Sequence, residues 1–157
     1  MTETLPPPQL EHVCDLAVTI APPVEVGQTA SGLRRMIPIT GGVVKGPLLN
    51  GKVLVGGADF QLILGGGTQA HLDARYVIEL HDGTRVFVQN TALRVASLEN
   101  SQRIMRGEPV SPDAVYFRCQ PKLEASADTW AWLSESQFIG TGRRAPDGVF
   151  LSFYRVC

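Results

Sequence analysis

The sequence predicts an all-β protein, built as a single closed or nearly closed antiparallel barrel with one short helix. Three observations carry this. Sixteen Gly and eleven Pro are spread along 157 residues, which favours many short elements joined by turns over a few long helices. Leu10, Cys14, Leu16, Val18 and Ile20 share one parity while Glu11, Asp15 and Thr19 take the other, the two-residue period of a half-buried strand. Asn50-Gly51, Asp82-Gly83 and Asp147-Gly148 each stand between two strand-like runs, and such pairs suit the tight primed turns of antiparallel hairpins. About nine short strands in succession form a meander, and closing it removes the exposed edges that a sandwich would keep.

Taken in order, Pro6-Pro7-Pro8 makes residues 1–9 a flexible, extended leader and leaves 10–157 as one barrel domain. The strand from Leu10 stops at Ala21-Pro22-Pro23, because proline cannot donate to a ladder. Gly32–Thr40 is the second strand, with Leu33, Ile37 and Ile39 on one face. Val43–Leu49 and Lys52–Val55 flank Asn50-Gly51; Asp59–Leu64 follows, then the break at Gly65-Gly66-Gly67. Asp73–Leu80 and Thr84–Asn90 flank Asp82-Gly83. Ser97–Met105 reads as the helix, capped through Ser97 and ended by Gly107, Pro109 and Pro112. Ala127–Leu133 is a short turn or a single helical turn carrying Trp130 and Trp132, and Gln137–Arg143 and Val149–Val156 make the last hairpin.

Fourteen basic and fifteen acidic residues give a formal charge of -1, with no excess to draw the protein to nucleic acid or an anionic membrane. Lys45, Asn50 and Lys52 are among the residues that break the apolar stretches well short of the ~20 residues a membrane helix needs. The start has no basic region followed by an apolar core, so no signal peptide is expected. Cys14, Cys119 and Cys157 are widely spaced with no CxxC pair, which fits free thiols in a reducing, cytoplasmic setting.

Several short motifs fail on context. Gly46 to Lys52 has the glycine and lysine spacing of a phosphate loop, but Val53 lacks the hydroxyl and a strand follows where a helix must start. Gly65-Gly66-Gly67 is likewise followed by no helix and reads as a loop at a barrel mouth. His71 and Asp73 share a strand face with His81, yet Arg75 stands there too and would oppose a cation; no metal is expected. There is no GxSxG, and no cysteine has a histidine partner nearby in sequence. No nucleotide, flavin or metal signature is present, so no cofactor is expected.

The set that carries chemistry is Asp59, Asp73, Arg75 and Glu79. Asp59, Gln61 and Ile63 share one face of their strand, and Asp73, Arg75, Val77 and Glu79 share one face of the next. The plain reading makes both faces solvent-exposed. The functional reading puts them in a barrel mouth, where Arg75 keeps one carboxylate ionised and a second, desolvated acid serves in proton transfer. Arg34-Arg35 sends one guanidinium to each face, so at least one must be paired or reach solvent. Asp59 and Asp73 are the catalytic candidates; Arg75, Arg34, Tyr76, Glu79 and Trp132 are the substrate-binding candidates.

The order of motifs carries a family resemblance. Gly32-Leu-Arg34-Arg35 leads through Ile37-Pro-Ile39 to Gly41-Gly42, Gly46-Pro47, Gly51 and Gly56-Gly-Ala-Asp59-Phe60. Leu72-Asp-Ala-Arg-Tyr76, Asp82-Gly83, Tyr116-Phe-Arg118, Trp130-Ala-Trp-Leu133 and Gly140-x-Gly142 follow. Together these resemble the domain of unknown function 3237 family over nearly the whole chain after the leader. The resemblance implies a barrel of the calycin-like or allene-oxide-cyclase-like kind and no established activity. It also places Asp59, Asp73 and Arg75 within family signature stretches. Phe60 stands where the family often has Trp, and Ser134 where it often has Asn, which takes amide hydrogen bonding from that position.

Two functions remain open at this point. One is a cofactor-independent isomerase, cyclase or lyase acting by acid–base chemistry on a small carbonyl or aromatic metabolite. The other is a non-catalytic barrel for a hydrophobic ligand, or a structural assembly subunit; apolar residues on both faces of Val149–Val156 suggest a homodimer. An enzyme requires a carboxyl with a raised pKa in a pocket, a plain binder two paired acids, and an assembly subunit no enclosed pocket.

Overall fold

Period-two alternation is realised along nearly every strand of the computed structural model, which describes residues 1–126 and 128–157. The strands are β1 (Leu10–Ile20), β2 (Val24–Thr29), β3 (Gly32–Lys45), β4 (Gly51–Val53), β5 (Ala58–Leu64), β6 (Gln69–Leu80), β7 (Arg85–Ala96), β8 (Val115–Ala125), β9 (Gln137–Ala145) and β10 (Gly148–Val156). Among the described residues the one α-helix, α1 (Leu98–Met105), follows β7. Residues 1–9 lie outside the strands, although Gln9 and Cys157 exchange two backbone hydrogen bonds. No helix is long and apolar enough to cross a membrane.

All pairings are antiparallel, and the ring runs β1-β10-β9-β8-β7-β6-β5-β3 before β3 returns to β1, an eight-stranded closed barrel. The two extra strands exist because β3 is long. Its first half pairs with β5 and its second with β4, so these share the gap between β3 and β6 at different heights. β2 continues past the Pro22-Pro23 interruption along the other edge of β3. It is an element absent from the sequence reading, because its outward valines leave no buried face to set a period.

The turns differ from expectation in chemistry. Asn50-Gly51 is not a two-residue primed turn: Gly51 lies inside β4, where a Cβ would meet the Glu79 carbonyl. Asn50 instead closes a longer loop, bonding both the N–H and the carbonyl of Gly46. At Asp82-Gly83, Gly83 alone has positive φ, 87°, and its N–H donates to the Leu80 carbonyl. Gly148 belongs to β10, which leaves Pro146-Asp147 as the last turn. α1 has its expected cap, with Ser97 Oγ accepting from the Asn100 N–H at 3.1 Å. The segment expected over Ala127–Leu133 is a 3₁₀ turn over Asp128–Leu133; Ala127 lies outside the described residues.

The interior is two-part. Around the β6–β7 turn, Leu49, Ile78, Leu80, Val86, Leu123 and Leu133 form a dry floor. Trp130 seals it from outside by donating to Asp82 at 2.9 Å. The opposite end, beneath α1 and the Gly65–Gly67 turn, is polar.

Candidate functional site

Strand register decides which charged residues reach the polar end. β5 and β6 pair with Asp59 opposite Ala74 and Phe60 opposite Asp73. Opposed residues share a face, so Asp59, Gln61 and Ile63 enter the barrel from β5, with Leu72, Ala74 and Tyr76 from β6. Phe60, Asp73 and Arg75 go to the outside. The expected convergence of Asp59 with Asp73, Arg75 and Glu79 therefore does not occur. Each strand does carry one polar parity, but the apolar parity of β6 is the one that points inward.

The outward groups have other partners. Arg75, 54% exposed, pairs with Asp73 at 3.1 Å on the outer wall. Glu79 meets Arg85 at 3.2 Å and Lys52 at 3.6 Å. Arg34 is opposite Leu62 and faces out, whereas its neighbour Arg35 is the one buried. Trp132 lies in the 3₁₀ turn of the dry end, against Phe138 and beneath Arg155, and does not line the polar cavity. Of the seven residues put forward, Asp59 and Tyr76 stand together there.

That cavity, about 60 Å³, has an apolar wall including Ile37, Ile39, Leu72, Phe117, Val149 and Leu151. Its polar lining is Asp59, Gln61, Tyr76, Asn90, Arg94 and Arg144. The Asp59 carboxyl accepts from Gln61 Nε2 at 2.9 Å and from the Asp73 backbone N–H at 3.1 Å. Burial nevertheless raises it above the ordinary carboxyl range, with the Asp73 charge adding to the rise; those two hydrogen bonds and Arg94 oppose it without cancelling it. Burial pushes the Tyr76 phenol up, so it stays neutral.

Arg94 is 7% exposed, and among the described residues no side-chain hydrogen bond or ion pair ends on it. Burial pulls its pKa down to about 10; Asp59 opposes that, while Arg144 and Arg35 push in the same direction. Arg94 stays charged at neutral pH. Arg35 has Glu25 of β2 at 2.9 Å, and Arg144 has only a long 3.5 Å contact to the Gly148 carbonyl. α1 closes over this group, its Ile104 sharing a small cavity with Arg94, Arg144 and Phe117.

Four buried side-chain atoms lack a hydrogen-bond partner among the described residues: Gln61 Oε1, Tyr76 Oη, Asn90 Oδ1 and Ser136 Oγ. The first three line this one cavity. Among the described residues no three His, Cys, Asp or Glu side chains group as metal ligands. Burial raises the Cys14 and Cys119 thiols to about 12 and about 11, so neither is a ready nucleophile.

Arg94 and Arg144 were invisible to the sequence reading because its strands stopped short. The strand over Thr84–Asn90 runs on to Ala96, and Val86, Val88, Asn90, Ala92 and Arg94 continue one inward parity. The strand ending at Arg143 runs on to Ala145, which brings Arg144 in line with Phe138, Gly140 and Gly142. A charge in register with apolar residues is the signal that would have marked both.

The family model for "Protein of unknown function (DUF3237)" matches residues 8–156. A UPF0311 protein of Rhodopseudomonas palustris (strain TIE-1) is 38% identical over 156 residues, 99% of each chain. The crystal structure of the conserved protein of unknown function RPA1785 from Rhodopseudomonas palustris superposes with a TM-score of 0.91 at 35% identity, covering 98% of this chain and 100% of that one. A structure described as an enzyme from Penicillium herquei has a TM-score of 0.74 at 21% identity with full coverage of both chains, a likeness of fold.

Proposed function

The chain belongs to the DUF3237 family of uncharacterised barrels, and we propose that it is a cofactor-independent acid–base enzyme, an isomerase, cyclase or lyase for a small carbonyl or aromatic metabolite. One observation carries this reading: Asp59, the carboxyl inside the barrel, is raised by burial and borders a cavity where three polar atoms have no protein partner. A carboxyl whose proton affinity is raised is a stronger base than an ordinary carboxylate, the property a general base needs. Asp59 takes a proton from the carbon beside a carbonyl and returns it to another atom of the same molecule, so no other reactant is consumed. Arg94 faces the oxyanion that forms between the two steps. The enclosed Asn90, Gln61 and Tyr76 groups orient the substrate. The fold neighbour described as an enzyme adds modest support.

The reading places the protein in the cytoplasm, where its three cysteines stay free thiols. A homodimer would use the outer face of β10, where Phe150 is exposed beneath Arg143.

The test is hydrogen–deuterium exchange at carbons next to the carbonyl, followed by NMR in D₂O over a panel of small ketones, keto acids and phenolic ketones. Wild type is expected to accelerate exchange on at least one member, and Asp59→Asn to abolish it while remaining folded. Equal exchange by the Asn variant would refute the role of Asp59.

A further inference from the structure

We propose that the polar end is built for a negatively charged substrate, a small organic acid whose carboxylate is held between Arg94 and Arg144 while its short apolar body fills the cavity above Tyr76. This deepens the acid–base reading and rests on it for the location of the site, though not for the nature of the ligand.

Charge at this end does not balance within the protein. Three guanidiniums, those of Arg35, Arg94 and Arg144, lie close enough to repel one another. Glu25 engages Arg35 directly, and the exposed Asp147 favours the charge of Arg144 without pairing with it. Arg94 has only Asp59, the acid that burial drives toward its neutral form. A buried cation without a partner is costly, and the fold keeps it in contact with a cavity instead of with a carboxylate. Guanidiniums present planar forks of N–H donors that match a carboxylate, and five donors on each leave capacity for an adjacent oxyanion.

The remaining lining narrows the ligand. Ile37, Ile39, Leu72, Val149 and Leu151 offer no polar atoms, so they suit a hydrocarbon body and not a polyanion such as a sugar phosphate. The cavity's size admits a body of only a few carbons. Asn90 Oδ1 and Gln61 Oε1 are acceptors, so they fit a hydroxyl or an enol of the ligand. A bound anion beside Asp59 would raise that residue's affinity for a proton, which makes its carboxylate a stronger base toward the substrate carbon.

The experiment is calorimetric and NMR titration of the whole protein with acetate and butyrate, their neutral amides acetamide and butyramide, and inorganic phosphate. Saturable carboxylate binding is expected, with perturbed amides at Ile37, Asn90 and Leu151. The amides and phosphate should bind at least about tenfold more weakly, since neither supplies a planar anion with an apolar body. Arg94→Gln and Arg144→Gln should each weaken butyrate by about tenfold or more, with circular dichroism confirming the barrel. If Arg94→Gln does not fold, Arg94→Lys carries the same expectation, because a point charge cannot form the fork. No saturable carboxylate binding below about 10 mM, equal binding of the amides, or perturbations confined to the outer wall overturns the proposal. The two readings separate cleanly. Carboxylate binding without hydrogen exchange removes the acid–base role and keeps the ligand class, whereas exchange on neutral ketones without carboxylate binding does the reverse.

Discussion

The two ends of this barrel are made by the same strands and obey opposite rules. At the β6–β7 turn, Leu80, Val86, Leu123 and Leu133 interlock with no polar atom among their side chains, and the end is sealed by Trp130 on Asp82. Beneath α1, β7 and β9 continue the same inward parity but finish it with Arg94 and Arg144. Hydrophobic burial rewards the first arrangement directly. The second carries a desolvation cost that the Arg35–Glu25 pair and the hydrogen bonds to Asp59 offset only in part. Both ends bury apolar side chains, but the polar end sets ionisable groups among them.

Truncation at the dry end should have the largest effect. Leu133→Ala removes a side chain that is 1% exposed and is expected to cost about 2–5 kcal/mol, read from the urea midpoint. A loss well below that range would mean the 3₁₀ turn closes over the gap and the two ends are less distinct than described.

The polar end should announce itself through pH. The Asp59 carboxyl is raised on folding above its ordinary 3.8, chiefly by burial, so the folded state holds its proton more tightly than the unfolded chain does. That contribution is complete below the unfolded value and is lost as pH rises through the folded one. Asp59→Asn cannot lose a proton, so wild type should fall progressively behind the variant from pH 3.8 upward and then level off. Every tenfold gain in proton affinity on folding reads as about 1.4 kcal/mol. Asp15, held below its ordinary range by Ser152 and His12, acts in the opposite sense but is common to both proteins and drops out of the difference. A difference that stays flat across roughly pH 4 to 8 would place Asp59 in ordinary solvent.

The smallest effect belongs to the outer wall. Asp73 and Arg75 make an exposed ion pair, and a double-mutant cycle through Asp73→Asn and Arg75→Gln should return a coupling of about 0.2–1 kcal/mol that fades with salt. A coupling of several kcal/mol would mean that this pair is part of the site after all.

The unequal legibility of the two ends has a physical cause. Turn residues and alternation are local, so the barrel, its helix with the Ser97 cap and most strand cores could be read from residues a few positions apart. Whether the polar face of one strand turns the same way as that of the next depends on register, which is set across strands. Asp59 and Asp73 illustrate this: each was placed correctly within its own strand, and their relation was not. Arg94 and Arg144 lay just past the expected ends of their strands, where local signals weaken. Arg34 and Arg35 were known to face opposite ways, but only the β3–β5 register shows that Arg35 is the inner one.

The long β3, with four pairing partners, also governs when this protein can finish folding. It assembles β1, β2, β4 and β5 around itself from the first half of the chain, yet the remaining side of β1 pairs with β10, joining Leu10 to Val156. The last residues of the barrel to be synthesised are thus the ones that shut the ring. Until they arrive, β1 is an open edge able to pair with another chain. Such distant pairing puts closure among the slow, millisecond-to-second events of β folding, and overcrowded synthesis endangers this protein more at that seam than at any of its hairpins.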